Sequence, residues 1–232
     1  METIIQNIAI WAIPVLFAIT LHEVAHGWVA RLLGDTTAQM LGRLTVNPLK
    51  HIDPVGTVLV PLGLLVITMV TPGPPFVFGW AKPVPVNTRN LKNPQRDMAI
   101  VAVAGPLSNL VMAFFWALMI KLGLGMLETF SWMAVPLVLM GAAGVFINLL
   151  LMVLNLLPVP PLDGGRVVSG LLPPRMSDTY DRLEPYGLFI ILGLLFTGLL
   201  WTILRPFLGF FIDLIGTVFG LPGNFLAPLF AG

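Results

Sequence analysis

The chain has 232 residues, 57% of them hydrophobic and 10% charged, with a mean hydropathy of +0.93. Soluble chains carry about 25% charged residues, so this one cannot cover a surface in water and reads as an integral membrane protein. A net charge of +1 points away from nucleic-acid partners, and the absence of cysteine excludes disulfides, thiolate ligands and a cysteine nucleophile.

Residues 1–7 lack a basic stretch ahead of the first apolar run, so that run is expected to be retained as a span. The span is predicted over residues 4–33. At about 1.5 Å per residue it exceeds the ~30 Å hydrocarbon core. Toward its C-terminal end stands ITLHEVAHGWVA, residues 19–30. On a helix His22 and His26 lie one turn apart on one face, where two imidazoles can grip one ion. Glu23 is placed to work on a water bound to that ion. Three ionisable groups together in an apolar span are costly, and such groups mark functional sites.

Residues 34–54 are polar and rich in turn residues, and are expected to form a surface loop with short strands. Residues 55–81 are uncharged but broken by glycine and proline, and rich in β-branched side chains. Residues 80–87, WAKPVPVN, read as an extended, proline-stiffened strand. A re-entrant or β-hairpin segment is therefore expected over about 55–88. The next span is predicted over 98–120, with Ala104, Gly105 and Ser108 as a small-residue face for close packing. Residues 129–162 are uncharged, with a helix predicted over 131–158 and Asn155 in its last turns. Asn109 and Asn148 read as interhelical hydrogen-bonding residues. PVPPLDGG follows at 158–165, where Gly164 and Gly165 permit a turn that aims Asp163. Residues 166–184 are charged and belong at a surface. Further spans are predicted over about 186–204 and 206–220. The whole of 1–232 is expected to be one membrane-embedded domain.

Catalytic zinc normally takes three protein ligands and a water. If His22 and His26 are two, the third is His51 or a carboxylate. Asp163, in a turn just after a span, is the best candidate. It must then lie at the depth of the histidines, so the chain crosses the membrane an even number of times between them. The spans over 98–120 and 131–158 supply two crossings. Residues 55–81 are too few for two helices of about 20 residues, so they must leave and return on one side. Under this topology Arg31, Arg43, Lys50, Lys82, Arg89, Lys92, Arg96, Arg166, Arg175 and Arg182 share one side, against Lys121 and Arg205 on the other. That bias makes the histidine side cytoplasmic.

The chemistry follows from the residue types. Zinc lowers the pKa of its water toward ~7. Glu23 accepts the proton and passes it to the leaving amine of a peptide. Asn155 is a candidate to bind substrate backbone or the developing oxyanion. The competing readings are a metal-ion transporter or channel that uses the same residues as a relay, and an inactive binder of membrane helices. Ligands gathered at one depth favour the peptidase.

These residues resemble the site-2 proteases, zinc metalloproteases that cut transmembrane substrates within the bilayer. The resemblance rests on HEVAH at 22–26, AGPLSN at 104–109, WAKPVPVN at 80–87 and NLLPVPPLDG at 155–164. It implies zinc on His22, His26 and Asp163, Glu23 as catalytic base and Asn155 assisting. It also implies an all-α polytopic fold with a three-helix catalytic core, additional C-terminal helices and irregular structure between the first two core helices. No PDZ or CBS domain is present in the sequence, as in a minimal prokaryotic member. A transmembrane protein substrate, of the membrane-anchored regulator class, and an inner-membrane location are the corresponding expectations.

Overall fold

A computed structural model of the chain describes residues 2–60, 63, 79 and 82–229. Among them the architecture is helical, as expected. Helix α1 is Glu2–Leu32 and α2 the single turn Thr37–Met40. The long helices α3, Pro94–Met126, and α4, Ser131–Asn155, follow. Then come α5, Asp163–Leu171, and α6, Pro174–Asp181. The chain closes with α7, Gly187–Phe196, and α8, Leu199–Phe219. Residues Ile8–Leu32 of α1, together with α3, α4 and α8, are long and apolar enough to cross a membrane. The protein is thus a multi-pass membrane protein.

Helices α1, α3 and α4 pack together as a three-helix core. Bilayer lipid is as apolar as leucine, so such helices associate by close van der Waals fit rather than by escape from water. Small residues provide that fit here. A Cβ on Gly144 of α4 would come within 2.1 Å of the Trp116 indole of α3, so the ring lies directly on the glycine backbone. Ala113, Ala117 and Ile120 of α3 and Ala142, Val145 and Leu149 of α4 are buried around that contact. Leu200, Leu204 and Leu208 of α8 extend the same cluster. The outer faces are apolar as well: Leu107, Val111 and Phe115 of α3 are exposed. Helices apolar on every side are those of a membrane interior.

Two expectations change. Residues 34–54 hold helical turns where short strands were predicted. The cause is local capping. The Asn47 side chain accepts from Leu49 N, and Asp53 accepts from Val55 N and Gly56 N. Each starts a helical turn, Pro48–Lys50 or Pro54–Leu59, with proline at its first position, where the missing N–H costs nothing. The C-terminal run also divides differently. Gly198 has φ +75°, a left-handed conformation that ends α7 after ten residues. At about 1.5 Å per residue, α7 is roughly half the length of a crossing. Residues 199–204, predicted as the end of the first C-terminal span, belong instead to α8, which continues through Arg205 and Pro206.

Most of 55–81 lies outside the described residues. Its flanks are well defined, and they meet. Lys82 N donates to His51 O at 2.9 Å, and Arg43 Nη2 donates to Lys82 O at 2.8 Å. Residues 51 and 82 are therefore adjacent in the fold. From there residues 82–87 run extended alongside α1, without a partner strand among the described residues.

Candidate metal centre

Three elements bring the predicted ligands together. Helix α1 presents His22 and His26 one turn apart, with ring centroids 4.6 Å from each other. Gly105 of α3 faces both rings: a Cβ there would come within 2.4 Å of His26 Nε2 and 2.6 Å of His22 Cε1. Only glycine leaves room for the two imidazoles against α3. Asp163 opens α5, whose first turn packs on the backbone of the preceding loop. A Cβ on Gly164 would come within 2.3 Å of Leu156 O, and one on Gly165 within 2.6 Å of Pro160 N. The far end of α5 is tied to α3, because Gln95 Nε2 donates to Ser169 O at 2.9 Å and Leu172 O at 2.7 Å.

The result is a tight triangle. His22 Nε2 and His26 Nε2 are 3.0 Å apart, and they lie 3.1 and 3.3 Å from Asp163 Oδ2. All three residues are buried. Among the described residues this is the one group of histidine and carboxylate ligand atoms able to hold an ion. The hydrogen bonds on the far sides of the rings decide what the triangle contains. His26 Nδ1 lies 2.7 Å from Val101 O, a carbonyl that can only accept, so Nδ1 carries the proton. His22 Nδ1 lies 2.6 Å from Asn109 Oδ1. That amide directs its Nδ2 to Ala18 O at 3.2 Å and Asn148 Oδ1 at 2.9 Å. Its oxygen therefore accepts from His22.

In neutral rings both Nε2 atoms then bear lone pairs. Two nitrogen lone pairs and a carboxylate oxygen converge, with no donor among them. Three buried acceptors at such spacing repel unless a cation stands between them. The spacing also fits one. Zinc with nitrogen and oxygen ligands at about 2.0–2.1 Å in a tetrahedron has ligand–ligand edges of about 3.3 Å.

Glu23 is half-buried on the same helix, and its Oε2 accepts from Val84 N at 2.7 Å. The donor belongs to the extended segment 82–87. That segment is held at its far end by Asp35, whose Oδ2 accepts from Asn87 N at 2.7 Å. Val84 also packs over Gly27, where a Cβ would meet Val84 Cγ1 at 2.8 Å. Asn155 is half-buried at the end of α4, with Nδ2 donating to Leu151 O at 2.9 Å in its own helix. His51 lies in the loop before residue 54, its Nε2 donating to Thr45 O at 2.9 Å, and it is not among the converging groups. The sequence did not reveal the backbone groups Val101 O and Val84 N–H, which carry no residue-type signal. It named Gly105 only for helix packing.

Comparison with known proteins adds the following. The family model described as peptidase family M50 matches residues 124–197, a stretch that contains Asp163. The chain is 40% identical over 200 residues to the Bacillus subtilis (strain 168) protein named "Putative zinc metalloprotease YwhC", covering 84% of each chain. It is 33% identical over 183 residues to "Putative zinc metalloprotease Rip2" of Mycolicibacterium smegmatis, covering 78% of this chain and 64% of that one. The Rip2 protein of Mycobacterium tuberculosis (strain H37Rv) is 28% identical over 208 residues, with 90% and 72% covered. No solved structure matches the chain.

Proposed function

This chain belongs to peptidase family M50, the site-2 protease family, and from that premise we propose that it is an intramembrane zinc endopeptidase acting on transmembrane protein substrates. The observation that carries the reading is the triangle of three buried acceptors, with a carboxylate on the residue after its first corner. We assign His22, His26 and Asp163 as the zinc ligands. Zinc held there supplies an acidified water and a polarised peptide carbonyl. Glu23 is the general base: one carboxylate oxygen is engaged by Val84 N–H, and the other is available to take the water's proton. The same carboxyl group then protonates the leaving amine. Asn155 has one amide N–H committed to Leu151 O and keeps a second for substrate backbone or the developing oxyanion.

Location in the bilayer supports membrane-embedded substrates. His22 and His26 lie within Ile8–Leu32, one of the four helices able to cross a membrane. A substrate helix must unwind before cleavage, because its carbonyls are hydrogen-bonded. The excess of basic residues on the histidine side supports a cytoplasmic orientation, in a prokaryotic inner membrane. A membrane-anchored regulator is the class of substrate the reading implies. A metal relay would string ligands along a path, whereas here they meet at one point.

The test is a purified preparation assayed for bound metal and for cleavage of a model transmembrane substrate. Glu23→Gln is expected to keep zinc and lose cleavage. Asp163→Ala is expected to lose zinc. Full cleavage by Glu23→Gln would overturn the mechanism.

A further inference from the structure

We propose that Asn109, backed by Asn148, is a positioning residue that holds His22 in its Nδ1-protonated tautomer and aims the Nε2 lone pair at the metal. The inference rests on the assignment of His22 as a zinc ligand. It concerns residues that lie one and two side chains away from the ion.

The orientation of every group in this chain is fixed from a backbone carbonyl. Gly144 O can only accept, so Asn148 turns its Nδ2 toward it at 2.8 Å. That leaves Asn148 Oδ1 facing Asn109, whose Nδ2 donates to it at 2.9 Å. The other hydrogen of Asn109 Nδ2 goes to Ala18 O at 3.2 Å, a second carbonyl. With both its N–H groups committed, Asn109 can show His22 only oxygen, at 2.6 Å. Flipping either amide would set it against acceptors. Both side chains are fully buried, where no water can take the place of a lost partner. The alternative tautomer of His22, with hydrogen on Nε2, would leave Nδ1 facing an oxygen and present a hydrogen to the ion.

The two histidines are therefore oriented by different means. His26 uses the Val101 carbonyl, which no substitution removes. His22 uses a side chain from α3, itself held by one from α4. Asn109 also grips α1 at two points a turn apart, Ala18 O and His22 Nδ1, so the amide sets the ring against its own helix. Partners of this kind, one bond out from a metal ligand, change metal affinity about 10–100-fold when removed.

The test measures zinc affinity by chelator competition, and the visible absorption of the cobalt-substituted protein, in detergent-purified wild type and variants. Asn109→Leu removes the acceptor and is expected to weaken zinc about 10–100-fold and to alter the cobalt spectrum. Asn109→Asp keeps an oxygen for His22 Nδ1–H but buries a charge and loses both donors. A packing role makes Asp the worse substitution, whereas a positioning role makes it the better zinc binder of the two. Zinc affinity of Asn109→Asp above that of Asn109→Leu is the expected result. Equal affinity in wild type and Asn109→Leu, or weaker binding by Asn109→Asp than by Asn109→Leu, would overturn the inference. If Asn109→Leu does not fold, Asn148→Leu carries the test, with zinc expected to weaken severalfold and unchanged affinity overturning the relay. Wild type that holds no zinc would instead overturn the ligand assignment, and this inference with it.

Discussion

The Val84 backbone N–H donates to Glu23 Oε2 at 2.7 Å, joining the extended segment to the carboxylate beside the metal triangle. A backbone donor can be removed only by proline, and residues 83 and 85 are already prolines. Val84→Pro is expected to lower kcat at least about tenfold, part of the 10²–10⁴ that a positioned base contributes, with KM little changed. Val84→Ala retains the N–H and loses only the packing over Gly27, so its kcat is expected to stay within about threefold of wild type on the same reasoning. Steady-state cleavage of a membrane substrate by both variants checks this; equal losses would remove the hydrogen bond from the account.

Gly105 is a site of exclusion by geometry. The added methyl of Gly105→Ala would come within 2.4 Å of His26 Nε2. The rings must rotate or α1 must withdraw, so zinc occupancy and cleavage are both expected to fall at least about tenfold, as when an orienting group is lost. Gly125→Ala in the same helix meets nothing within 4 Å and is expected to gain up to about 1 kcal/mol from helix propensity. Metal content and thermal melts of the pair separate the two outcomes.

Metal removal is expected to act on stability as well as on activity. A ligand that binds only the folded state stabilises it by RT ln(1 + [L]/Kd), about 2.7 kcal/mol at a hundredfold excess over Kd. Chelator is expected to abolish cleavage and lower the melting temperature, and added zinc to restore both. Asp163→Ala is expected to show no zinc-dependent shift in melting.

Asp35 anchors the far end of the extended segment. It is buried and accepts from Thr37 N and Oγ1, Asn87 N and Asn90 Nδ2. Burial alone would raise its carboxyl pKa. The hydrogen bonds from Thr37, Asn90 and Asn87 outweigh it and bring the pKa below the ordinary value. A folded pKa below the unfolded one, about 3.9, gives stability that is complete above that pH. It is lost as pH falls through the folded value. Asp35→Asn is expected to destabilise by about 1–3 kcal/mol near neutral pH, with the gap from wild type closing below pH ~4. Melts of both proteins across that range provide the measurement.

The helical spans and the histidine pair were legible because both are periodic features of single helices. The meeting of Asp163 with the two histidines was favoured, over His51 and other carboxylates, by its place in a Pro/Gly turn just after a span. The hydrogen bonds of Asn109 were legible only as a category. An asparagine in an apolar span must bond to something, but its partner His22 is 87 residues away and depends on how α1 meets α3. Val84 N–H could not be read at all, because every non-proline residue carries that group. The C-terminal run misled because residues 186–204 are uniformly uncharged. A single left-handed glycine divides them, and hydropathy does not register backbone handedness.

The hydrogen bond between Lys82 N and His51 O has a mechanical consequence. Together with Arg43 Nη2 on Lys82 O, it moors the start of the extended segment, as Asp35 moors its end through Asn87 N. Val84 N–H lies between the two moorings, so the donor that grips Glu23 sits on a short tether made fast at both ends. Tension or slack introduced at either mooring would be felt at the carboxylate.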